Sequence, residues 1–140
     1  MLERGPTLAG DPKLADIYAR HLDETRRHAQ LVEERLSALG GDPSTLKDAA
    51  MRLGALNWSA FFQGHPDTPG KLAAFARAFE YLEIGGYEQL KRVAARAGDE
   101  ETVRVVEEIL ADERHASEAL AGAFGAAVQA SLREAEVVGG

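Results

Sequence analysis

The chain has 140 residues, enough to bury one core and to form one domain. Hydrophobic residues make up 45% and charged residues 28%, the proportions of a globular protein rather than a disordered or fibrous one. A net charge of −7 without a basic stripe argues against general nucleic-acid binding, and the lack of cysteine excludes disulfides, zinc fingers and thiol catalysis.

Proline and glycine divide the chain into four segments. A helix is expected over about 12–39, stopping at Gly40-Gly41. Asp42 reads as a cap with Pro43 in the first turn of a second helix, about 43–63. The run Gly64-His65-Pro66-Asp67 is a loop, and Thr68-Pro69 repeats the cap-then-proline signal for a third helix, about 69–97. Gly98-Asp99 is a stop followed by a cap, and the fourth helix is expected over about 99–135. No segment alternates with period two and the connections are short. The expectation is one all-α domain over 1–140, an antiparallel four-helix bundle.

A helix advances about 100° per residue, so each apolar stripe can be traced and its polar intruders named. On the first helix Leu14, Tyr18, Val32, Leu36 and Leu39 share a face whose middle is taken by His21, Thr25 and His28. Glu24 borders it, beside Ile17 and Leu31. The second helix has an apolar stripe from Leu46 to Phe61 with Asn57 as its one polar intruder, and reads as a packing helix. On the third, Leu72, Ala76, Phe79, Leu90 and Ala94 define a stripe centred on Glu83 and flanked by Glu80 and Tyr87. Glu80 also reads as a solvated residue paired with Arg77. Gly85-Gly86 reads as a kink or as room for a neighbouring helix. On the fourth, Val106, Leu110, Ser117, Leu120 and Phe124 line up with Glu113 at the centre and Asp112 at the edge. His115 projects almost opposite Glu113, so the Asp112-x-x-His115 spacing is expected to be a surface accident rather than a ligand pair.

Burying a carboxylate without a partner is costly, and three helices interrupt their stripes in this way. A pair of divalent metal ions is one partner that would serve them all. Glu24, Glu80, Glu83 and Glu113, with Asp112 as a second choice, offer carboxylates, and His21 and His28 offer imidazoles. That inventory suits a di-iron centre, with manganese or zinc as alternatives. The bland reading is a metal-free bundle, a structural or interaction module in which a buried Glu–His network sets helix register.

His21-Leu22-Asp23-Glu24-Thr25 with His28, Phe79-Glu80-Tyr81-Leu82-Glu83-Ile84 with Tyr87, and Asp112-Glu113 together resemble the YciF type of ferritin-like bacterial stress proteins. The similarity runs from about residue 15 to 124, and the Glu-x-x-Glu-Ile-x-x-Tyr pattern of the third helix is its most specific element. The resemblance implies a ferritin-like bundle, a di-metal centre and a stress-linked role in iron handling or oxygen chemistry, of the ferroxidase or peroxidase kind if there is turnover. Three departures stand out. The family's extra first helix is expected to be missing, its place taken by the second segment or another subunit. His28 stands where the family commonly has glutamine, and Gly85-Gly86 where it has alanine-type residues. A homodimer is expected, because the missing family helix would leave apolar surface on the remaining ones. A cytoplasmic location is expected, because the N-terminus lacks the apolar core of a signal peptide and no apolar run approaches the roughly 18 residues of a membrane span.

Overall fold

Helices begin where a side-chain oxygen can take up backbone N–H groups that the first turn leaves unpaired. In the computed structural model, which describes residues 11–42 and 68–138, this happens three times. The Asp11 carboxylate accepts from Lys13 N at 2.9 Å and opens α1, Pro12–Ala38. The Thr68 hydroxyl accepts from Lys71 N and opens α2, Pro69–Ala97. Asp99 accepts from Thr102 N at 3.0 Å and opens α3, Glu100–Gly122, whose first turn carries Glu100 and Glu101 against the positive end of the helix. The ends of α1 and α2 are built alike. Gly40 and Gly98 take φ of +78° and +72°, a backbone that an L side chain resists, and the next N–H returns to Leu36 and Ala94 respectively.

The described residues contain four helices and no strand, the last helix being α4, Phe124–Val138. The segment read as a second helix, about 43–63 with Asn57, lies outside them. The single helix expected over about 99–135 is instead two. At Ala123 the N–H reaches back only three residues, to Leu120 O at 3.1 Å, and the next helix starts at once. The sequence there is Gly122-Ala123-Phe124-Gly125, where two glycines lower the cost of leaving the helical path.

Packing follows the stripes. Leu14, Ile17 and Tyr18 of α1 meet Ala73 and Ala76 of α2, Leu120 of α3, and Ala123 and Ala127 at the junction with α4. Each fully buried leucine here contributes about 1.5–3 kcal/mol, while the alanines let the helices close in. Ser131 ties α4 to the start of α2, accepting from Gly70 N at 2.8 Å. Lys91 pairs with Glu107 and Arg114 with Glu88 between α2 and α3, and Arg35 of α1 reaches Asp99 and Thr102 at the start of α3. Two stripe assignments shift. Leu39 is 62% exposed because it caps α1 rather than continuing it, and Leu90 is also exposed. No helix among the described residues is long and apolar enough to cross a membrane.

Candidate metal centre

One turn beyond the Leu14–Tyr18 core, α1 presents His21, and its face continues through Glu24 to His28. Opposite, α2 presents Glu80 directly after Ala73 and Ala76. On α3, Glu113 stands between Ile109-Leu110 and Ala116-Ser117-Leu120, all buried. The three helices therefore aim a histidine and two glutamates into an interior closed by apolar residues on both sides. Glu80 and Glu113 are 0% and 1% exposed.

Ligand atoms of His21, Glu80, Glu83 and Glu113 all lie within 4.8 Å of one another. His21 Nε2 is 3.1 Å from Glu80 Oε2, and His21 Nδ1 is 3.5 Å from Glu24 Oε2. Neither approach has hydrogen-bond geometry. Both ring nitrogens of His21, both oxygens of Glu80, Glu113 Oε2 and Glu24 Oε2 are buried without a hydrogen-bond partner. Buried polar atoms in proteins are nearly always paired, so orphans on four neighbouring side chains mark an unfilled donor set. The other half of the cluster differs. His28 Nδ1 meets Glu113 Oε1 at 2.9 Å and Nε2 meets Asp112 Oδ2 at 2.9 Å. Asp112 is also held by Arg27, whose guanidinium spans Asp112 and Glu108.

The electrostatics follow from burial and crowding. Burial pushes Glu83 up to about 8, and the neighbouring Glu113 and Glu80 carboxylates add to it. Burial also lifts Glu80, to about 7; His21 opposes the rise and the neighbouring Glu113 carboxylate assists it. For His21, burial alone would lower the pKa, but Glu80 and the further carboxylates carry it up to about 9. His28 is likewise raised by Glu113 and Asp112 against its own burial. Glu113 and Asp112 resist burial and stay below the usual carboxylate range, Glu113 through His28 and Glu80, Asp112 through His28 and Arg27. At neutral pH the apo cluster thus holds protons where a cation could sit.

All seven residues expected from the stripes fall in one connected cluster, in unequal roles. His21, Glu80, Glu83 and Glu113 converge. Glu24 joins through His21, and His28 and Asp112 join through Glu113. The α2 stripe is rotated from the expected phase: Glu80 sits at the buried centre and Glu83 at its half-buried edge. Arg77 does not pair with Glu80 but lies against Tyr81 and Phe124, which leaves that carboxylate for the interior. His115 is exposed, on the far side of α3. Tyr87 is half-buried beside Glu83, and burial raises its hydroxyl to about 12.

A family model described as "Domain of unknown function (DUF892)" matches residues 1–133. The chain belongs to that family. The matched run contains every residue of the cluster, so the polar interior lies inside the family domain. No solved structure matches the chain.

Two features escape sequence reasoning. Arg27 sits on no apolar stripe, and its partners Glu108 and Asp112 lie more than eighty residues along the chain. Tyr18 is legible as a core aromatic, but its hydroxyl is buried without a partner and burial pushes it to about 12.

Proposed function

We propose that this member of the DUF892 family is a ferritin-like metal-binding protein, an antiparallel helical bundle that holds divalent metal between α1, α2 and α3. His21, Glu80, Glu83 and Glu113 would be the principal ligands, with Glu24, His28 and Asp112 at the margins. The observation that carries this reading is the orphaned set: Glu80 with both oxygens unpaired, Glu113 with one, and His21 with neither ring nitrogen bonded, all buried. Each such atom carries a desolvation cost of about 1–3 kcal/mol, more if charged. A cation that accepts carboxylate oxygens and neutral imidazole together removes that cost, and mixed O/N donors of this kind suit iron, manganese or zinc. When bound, an iron pair would supply Lewis acidity and redox capacity, which supports a ferroxidase- or peroxidase-like part in iron handling or oxidative stress. The same reading extends to a homodimer through the exposed α2 face that carries Leu82 and Val93.

The metal-free alternative draws on His28, whose two nitrogens are both satisfied by carboxylates at 2.9 Å. It accounts for His21 and Glu80 only as an ion pair at 3.1 Å that lacks hydrogen-bond geometry. Metal analysis and binding titrations decide between them. Glu113→Ala and Glu83→Ala should each abolish tight binding of ferrous or manganous ion, a larger loss than the roughly 10–100-fold expected for a residue that only orients a ligand. His115→Ala should bind as the unmodified protein does. If both glutamate variants keep full stoichiometry and affinity, the ligand assignment fails.

A further inference from the structure

The cluster has two halves that meet at Glu113, and they are satisfied in opposite ways. On the His21 side five ligand atoms are buried without a hydrogen bond: Glu80 Oε1 and Oε2, Glu113 Oε2, and both nitrogens of His21. On the His28 side the donors are engaged. His28 bridges Glu113 Oε1 and Asp112 Oδ2, and the Arg27 guanidinium takes that same Asp112 oxygen while its other arm holds Glu108. An ion entering the first half displaces only protons. An ion entering the second half competes with Arg27 for Asp112 Oδ2 and sits beside a fixed positive charge.

From this asymmetry, and resting on the metal-binding reading above, we infer that Arg27 makes the centre unequal: one ion is held tightly by His21, Glu80, Glu83 and Glu113, and Arg27 holds Asp112 against a second. Arg27 is a positioning residue. It touches no part of the first ligand set but controls the availability of an oxygen that the second needs. Its side chain is 45% exposed, so the pair adds little to stability and can open without unfolding anything. Such a latch differs from a buried ligand in one respect: removing it improves binding.

The test titrates the full-length protein with manganous ion at one fixed pH, reading stoichiometry and affinity by calorimetry and free ion by electron paramagnetic resonance. The unmodified protein should bind one equivalent tightly and a second more weakly. Arg27→Gln removes the charge while keeping a polar side chain and should tighten the second equivalent by about tenfold, from loss of an exposed ion pair and of a like charge beside the ion, with the first nearly unchanged. Arg26→Gln removes the same charge from a neighbour that pairs, among the described residues, with exposed Asp23, and should match the unmodified protein. Two equal equivalents in the unmodified protein overturn the inference while leaving metal binding standing. So does an unaltered second equivalent in Arg27→Gln, or an equal gain in Arg26→Gln, which would mean bulk charge. No binding by any of the three removes this inference together with the function it rests on.

Discussion

At the scale of single residues, the buried cluster is a set of protons waiting to be exchanged, and this has a definite sign. Glu80 and Glu83 ionise near 7 and 8 in the fold against an ordinary 4.5, and His21 near 9 against 6.5. Each binds its proton more tightly folded than unfolded, so folding takes up protons between the two values. The contribution of Glu80 and Glu83 is therefore full below about pH 4.5 and is lost as pH rises through about 7 and 8. That of His21 is full below 6.5 and lost through about 9. Glu113 and Asp112 are shifted downward, so theirs is present above the carboxylate range and is lost only in acid. Above about pH 5 nothing among these opposes the trend. Chelator-treated protein should show a melting temperature that falls steadily from about pH 5 to about 9. Excess manganous ion should flatten the profile, because the metal replaces the protons and binds more tightly as they leave. An apo melting temperature that climbs over that window would contradict this account of the cluster.

At the scale of helices, punctuation is the most legible layer. Asp11, Thr68-Pro69 and Gly98-Asp99 act locally, through hydrogen bonds to residues two or three away, so a sequence displays them completely. The break at Ala123 is harder to see, since Gly122 and Gly125 lie among alanines and no proline announces it. The phase of α2 is set by contact rather than periodicity. Tracing apolar residues centres the stripe on Glu83, whereas packing of Ala73 and Ala76 into the core turns Glu80 inward. Gly85 and Gly86 tell the same story from outside. A Cβ added at either meets nothing within 4 Å, so close packing among the described residues does not account for them. On an open face Gly85→Ala should raise stability by about 0.5–1 kcal/mol, the helix cost of glycine, in denaturant melts at low protein concentration. If a second copy uses the face bearing Leu82 and Val93, the same methyl should weaken the dimer in sedimentation at high concentration. A loss of stability at low concentration would show that the face is not open.

For the molecule as a whole, the question is what the fold gives up to keep carboxylates in its interior. Helical phase locates His21, His28 and Glu113, because one helix suffices to show a polar group inside an apolar stripe. It cannot show which groups meet, nor that Arg27 holds Asp112, since those facts arise only when α1 lies beside α3. The trade itself can be measured at Glu83. Its carboxyl is pushed up to about 8 chiefly by burial, and Phe79 and Tyr87 flank it one turn away on either side. Above about pH 8, where that carboxyl is ionised, replacing it with leucine removes the desolvation cost and the repulsion from Glu80 and Glu113, and extends the apolar surface. Exchange of buried charge for packed apolar side chains is often neutral or gains about 1–4 kcal/mol, so apo Glu83→Leu should melt at or above the unmodified apo protein. Metal acts on only one of the two proteins. An ion at a hundred times its dissociation constant adds about 2.7 kcal/mol to a fold that binds it, and adds nothing to one that has lost a ligand. Four melts, two proteins each with chelator and with manganous ion, separate the cases. A register-setting network predicts that leucine lowers the apo melt, because its loss disturbs partners that relied on it. A leucine variant that melts lower than the unmodified protein in chelator would favour that network over a metal centre.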